Sequence, residues 1–154
     1  DGRIGKKMIH TGDTGTQWGI SKEELMERIS ESAKATADHF GDHIAYINVL
    51  RNMSVSCDCE GTAAQPVVTP NIGILASTDI LAADQASVDL VYALPEKYRH
   101  DLVERMETRH GLRQLSYMKE LGMGCDRYVI LDMDHGDTPI TLAEAVKNVK
   151  PFKA

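Results

Sequence analysis

The sequence lacks most of the features that would narrow its biology quickly. Cysteine occurs only three times in 154 residues. That sparse, odd set excludes the disulfide framework of a small secreted scaffold and points to a reducing compartment, the cytoplasm. No apolar run approaches the roughly 18 residues of a membrane-spanning helix, and the opening DGRIGKKMIH contains no apolar stretch of the signal-peptide kind. A membrane is therefore not an expected partner. Basic residues are scattered and the net charge is −6, which provides no electrostatic footprint for nucleic acid. Catalytic signatures are missing as well: G-x-S-x-G, H-E-x-x-H and G-x-G-x-x-G do not occur, and the early glycines and lysines lack P-loop spacing. Neither an internal repeat nor a low-complexity tract interrupts the chain. Its length suits a single domain over 1–154 with its own core, and a start at Asp1 without methionine leads us to expect the C-terminal part of a longer protein.

What is present reads as alternating strands and helices. Residues 1–19 are rich in glycine and threonine and have no sustained period, so they are expected to be irregular. Ser21 with Glu24 has the spacing of a capping box, and Leu25, Ile29, Ala33, Ala37 and Phe40 recur at helical intervals before Gly41. HIAYINVL (43–50) and NIGILAS (71–77) read as buried strands, and a helix follows the second, capped by Thr78 or Asp79. Residues 98–121 carry a helical pattern that stops at Gly122. RYVILDM (127–133) reads as a third strand, and Thr141 with Glu144 opens a last short helix. This alternation predicts an α/β fold, a three-layer sandwich around a mostly parallel central sheet. Three strands are few for such a sheet. A second copy of the chain, or an N-terminal half, is expected to supply more.

Cys57-Asp58-Cys59 is the most conspicuous local feature. In extended chain the two thiols point to one side, and soft thiolates select zinc, copper(I) or iron-sulfur clusters. They supply half of a tetrahedral set, with His10, His39, His43, His135 and Cys125 as candidates to complete it. Two buried thiols that merely pack, or a redox pair, remain open alternatives; an adjacent Asp58 disfavours a reactive thiolate. Ser77, Thr78 and Asp79 stand where a strand meets a helix, with Asp84 and Gln85 further along. Their functional reading is a carboxylate role in a metal or substrate site; their ordinary reading is a helix cap and a solvated acid. Lys7 and His10 could serve a site or simply be solvated. His39, Asp42 and His43 fall at a helix end, where histidine suits the negative end of the dipole. MDHGD (133–137) follows a strand and also makes an ordinary turn.

Three blocks, HIAYINVL with CDC, NIGILASTDILAADQASVDLVY, and HGLRQLSYMKELGMGCDRYVIL, resemble in order and spacing the C-terminal half of the family called domain of unknown function 362, over about residues 43–131. DGRIGKKMIHT is similar to the basic segment that in many members precedes an inserted ferredoxin module. The module's repeated C-x-x-C runs are absent here, and residues 11–17 bridge directly to Trp18. Lys7, His10, Cys57, Asp58, Cys59, Asp79, Asp84 and Gln85 match polar positions of the family, while Ile80 replaces a frequent proline. The resemblance implies that these stretches share a site.

The leading expectation is a metal or iron-sulfur site on Cys57 and Cys59, with His10 as third ligand and with zinc or an iron-sulfur cluster as cofactor. Asp58, Asp79 and Gln85 are the candidates for contacts to the bound group, and a redox or metal-donor protein is the matching partner. A second expectation is an enzyme or binding protein for a small polar metabolite, using Lys7, His10 and Asp84, with Lys7 and Asp84 as the catalytic candidates. A third is a non-catalytic assembly domain that pairs through an uncovered sheet edge.

Overall fold

The structure, a computed structural model, describes residues 20–56 and 65–152. Helix α1 (Lys22–Phe40) opens where Ser21 Oγ accepts the Glu24 amide at 3.0 Å. The Glu24 side chain does not close the box; it pairs with Arg28 one turn on, at 2.6 Å. Gly41, at φ +54, ends the helix, and its amide bonds back to the Ala37 carbonyl. Strands β1 (Tyr46–Leu50) and β2 (Gly73–Ser77) follow, then helix α2 (Ile80–Ala93).

The helical pattern over 98–121 is two helices, α3 (Glu96–Thr108) and α4 (Leu112–Glu120). They are broken where His110 takes φ +58 and Gly111 closes against the Met106 carbonyl at 2.8 Å. A short hairpin of β3 (Ile130–Asp132) and β4 (Thr138–Ile140) turns through a single 3-10 turn, Gly136 and Asp137, the last two both at positive φ. Helix α5 (Leu142–Val146) has the complete reciprocal cap between Thr141 and Glu144.

The expected three-layer sandwich with a mostly parallel sheet is overturned. Among the described residues there are two separate two-stranded sheets, β1–β2 and β3–β4, both antiparallel. In the first, Tyr46 faces Ser77 and Leu50 faces Gly73. The reason lies in the connection between them. A parallel pair needs a crossover, but here the two arms leave the sheet side by side. Ile72 donates to the Leu50 carbonyl at 2.8 Å, the Asn52 amide to Asn71 Oδ1 at 2.8 Å, and the Gln65 amide to Ser56 Oγ at 2.9 Å. β1 and β2 are thus the base of a long antiparallel arm.

Helix α2 sits at the centre. Leu81, Ala83, Ala86, Leu90 and Val91 are buried, with Leu81 wholly inaccessible. Its apolar character extends well around its circumference because it packs against β1, β2, α3, α4 and α5. Burying Leu81 alone stabilises the fold by about 2 kcal/mol. Helix α1 packs on α4 instead. Glu23, Glu27 and Glu31, one turn apart on α1, meet His110, Arg113 and Tyr117 in ascending order, so the two helices run in the same direction. Beneath this ladder Ser30 is 2 % exposed and donates to the Met26 carbonyl.

The sheet β1–β2 has one covered face and one open face. Leu50, whose side chain points to the α2 side, is buried, while Ile47, Val49 and Ile74 on the other side are 66 %, 55 % and 69 % exposed. Apolar residues on both faces gave these strands the appearance of a doubly covered sheet.

Candidate functional site

Three polar clusters surround α2, and the candidates from the sequence fall among them. At the β2–α2 turn Asp79 is the cap. Its Oδ1 accepts the Ala82 amide at 2.9 Å, and its own amide donates to Ser77 Oγ at 3.0 Å. Its second oxygen, Oδ2, accepts the Cys125 amide at 2.8 Å, so one carboxylate starts the helix and also moors the 122–126 turn. Gly124 passes so close to Asp79 that any side chain at 124 would collide with the carboxylate.

Under the sheet, Asn48 of β1 donates from Nδ2 to Asp84 Oδ1 at 2.8 Å and meets Ser87 Oγ at 2.9 Å. Ser87 in turn donates to the Ala83 carbonyl. Asp84 is therefore held between strand and helix, neither a loosely solvated acid nor an unattached one. Gln85 lies on another side of α2, where its amide donates to Asp89 at 2.9 Å and Tyr128 donates to the same carboxylate at 2.5 Å. Burial, and then the hydrogen bond to Asp89, push the Tyr128 phenol above its ordinary range. Tyr92, bonded to Glu107, is pushed up to about 12 by burial first and that bond second.

Lys7, His10, Cys57, Asp58 and Cys59 lie outside the described residues. The ends of the cysteine segment are described. Ser56 and Gln65, joined by their hydrogen bond, stand on the rim of an open cavity of about 660 Å³ between the β1–β2 arm and α3. Sequence reasoning missed the far wall of this cavity. Asp101, Glu104, Arg105 and Thr108 of α3 line it, and their i, i+3, i+4, i+7 spacing makes a single polar stripe. That stripe was legible in the sequence but gave no hint of what it faces.

Of the candidates to complete a metal site, Cys125 is exposed with a free thiol, and His39 and His43 are exposed near the end of α1. His135 bonds Asp132 at 2.8 Å, holding that carboxyl below its usual range. Among the described residues no three His, Cys, Asp or Glu side chains are grouped to hold a metal ion. Asp79, Asp84 and Gln85 share α2 but belong to different hydrogen-bonded clusters.

A family model described as domain of unknown function (DUF362) matches residues 2–89. The chain belongs to that family. The DUF362 match contains Lys7, His10, Cys57, Asp58, Cys59, Asp79, Asp84 and Gln85, and ends within α2, short of Cys125, His135 and the HGLRQLSYMKELGMG block. No curated protein and no solved structure matches the chain. Among the described residues no helix is long and apolar enough to cross a membrane.

Proposed function

We propose that this DUF362 chain is a cytoplasmic metal-binding domain with a redox or metal-handling role, whose site is built on Cys57 and Cys59, with His10 as third ligand and Asp58 and Asp79 in support. The carrying observation is that Cys57-Asp58-Cys59 lies between two residues, Ser56 and Gln65, that are tied together at 2.9 Å on a cavity rim. A neck closed in this way lowers the entropy of presenting two thiolates to one ion. The donor set suits zinc or a thiolate-held iron-sulfur cluster. Such a group would supply Lewis acidity or one-electron chemistry, and the chain's own part is to hold and orient it.

The test is elemental analysis with a visible spectrum on anaerobically purified protein, for the wild type and a Cys57→Ser, Cys59→Ser double variant. Near-stoichiometric zinc or iron that disappears in the variant is the expected result. A wild type without metal, whose thermal stability is unchanged by chelator, sinks the proposal.

A second reading, an assembly domain, is favoured by the open apolar face of β1–β2 formed by Ile47, Val49 and Ile74. A two-stranded sheet is marginal by itself, and a further half of a longer protein or another copy would cover it. Light scattering that shows a clean monomer at all accessible concentrations counts against self-association.

A further inference from the structure

The cavity between the β1–β2 connection and α3 contains polar groups that have no partner among the described residues. Thr69 is 3 % exposed, and among the described residues its hydroxyl has no hydrogen-bond partner. Among the described residues no sealed side-chain nitrogen or oxygen lacks a partner, so this hydroxyl opens onto free space, and the space that Thr69 lines is the cavity. Opposite it Arg105, half-buried in the last turn of α3, makes no side-chain ion pair or hydrogen bond among the described residues. Glu104 beside it likewise makes no ion pair or side-chain hydrogen bond among the described residues, although its charge acts on His100. Asp101 is engaged by His100 at 2.9 Å. Met53, Val55 and Val68 add an apolar surface between these walls.

A second depression near α2 and α4 provides the contrast. Its polar residues are satisfied internally: Gln85 on Asp89, Tyr92 on Glu107, and Lys119 on Asp126 at 2.6 Å. Of these two depressions, the one beside α3 combines, among the described residues, a buried free hydroxyl with an unpaired guanidinium and carboxylate. At about 660 Å³ it also falls in the range of small-molecule sites.

We propose that this cavity binds a small zwitterion of the α-amino-acid class with an apolar side chain. The ligand's carboxylate lies against Arg105 and the Thr69 hydroxyl, its ammonium against Glu104, and its side chain on Met53, Val55 and Val68. An anion alone would meet the Glu104 carboxylate unfavourably, and a cation alone would meet Arg105; a ligand with both charges satisfies both. The assignment does not depend on a metal at Cys57 and Cys59.

The experiment is ligand-observed NMR on the full chain with pools of the standard amino acids at about 5 mM, followed by titration of each hit. Saturable binding of one or more apolar amino acids is expected. Arg105→Ala and Thr69→Val are each expected to weaken it about tenfold or more, with native circular dichroism, and Arg105→Lys by less, since it keeps the charge but not the forked donors. The deaminated acid and the decarboxylated amine made from the hit should each bind about tenfold more weakly. The proposal is overturned if no pool binds, if either single-charge analogue binds as well as the zwitterion, or if folded Arg105→Ala protein binds unchanged.

Discussion

Asp79 and Gly124 form a pair whose coupling can be worked out from the geometry. Removing the Asp79 carboxylate in Asp79→Ala frees the Ala82 amide at the first turn of α2 and the Cys125 amide 46 residues away, now bonded at 2.9 and 2.8 Å. Loss of an N-cap acceptor costs about 1 kcal/mol, and loss of a second bond to a charged acceptor at a site open to water costs about 1 kcal/mol more. The total of about 2 kcal/mol corresponds to a fall of about 4 to 8 °C in Tm for a chain of this size. Gly124→Ala acts on the same carboxylate from the other side. Gly124 has φ +154, a region that disfavours any Cβ, and its added methyl would land on the Asp79 oxygens. The backbone strain costs about 1 to 3 kcal/mol, and displacing the carboxylate adds up to about the 2 kcal/mol of its two bonds. In an Asp79→Ala background only the strain remains. Urea unfolding followed by circular dichroism, over wild type, both single variants and the double, should therefore give a coupling of about 1 to 2 kcal/mol. Equal costs of Gly124→Ala in both backgrounds, within about 0.5 kcal/mol, would refute the reasoning.

Leu81→Ala, at the one wholly inaccessible leucine, should lose about 2 to 5 kcal/mol and lower the urea midpoint without changing the slope; a loss under about 1 kcal/mol would mean that α2 is not the centre of the core. The Lys119 ammonium beside Asp126, and the Arg113 guanidinium beside Glu120, hold those carboxyls below their ordinary range, as backbone bonds do for Glu23 and Glu144. Because the folded pKa values are depressed, their stabilising contribution is present above the ordinary carboxylate range and fades as pH falls through the folded values, on the acid side of about pH 4. Asp126 should therefore titrate lower in wild type than in Lys119→Met when followed by NMR, and identical titrations would remove the ion pair from the account. His100, raised by its bond to Asp101, runs the other way. Its contribution is complete below the ordinary imidazole pKa and is lost as pH rises through the raised folded value, so Asp101→Asn should lower its NMR midpoint.

Local signals in the sequence translated into structure more faithfully than tertiary ones. Ser21, Asp79 and the Thr141–Glu144 box cap helices as their spacing predicts, and Gly41 stops α1. These outcomes depend on a few neighbouring residues, which is why they can be read from a short window. The single helical pattern over 98–121 failed where His110 and Gly111 break it, since periodicity can continue in register across a short break. RYVILDM shrank to a three-residue strand, and its MDHGD tail became a hairpin turn that pairs Asp132 with Thr138. Among the candidate residues, the caps and turns were legible from spacing, but the division of Asp79, Asp84 and Gln85 among three clusters was not. Their partners Cys125, Asn48 and Tyr128 come from other elements.

Strand direction was the largest misreading, and the same cause bears on how the domain works. Continuous apolar runs indicate that both faces of a strand carry apolar side chains; they do not reveal whether this chain covers both. Here α2 covers one face, and Ile47, Val49 and Ile74 line the other. The antiparallel pairing also puts both ends of the β1–β2 connection at the same end of the sheet, with Asn52 on Asn71 and Gln65 on Ser56 holding the arms together. A parallel crossover would have carried residues 51–72 over a sheet face, where they would bury apolar surface. The antiparallel arm instead leaves that face open and carries Ser56 and Gln65 to the cavity beside α3. The topology thus separates the two surfaces. None of Ile47, Val49 and Ile74 of the open face is among the residues that line the cavity beside α3.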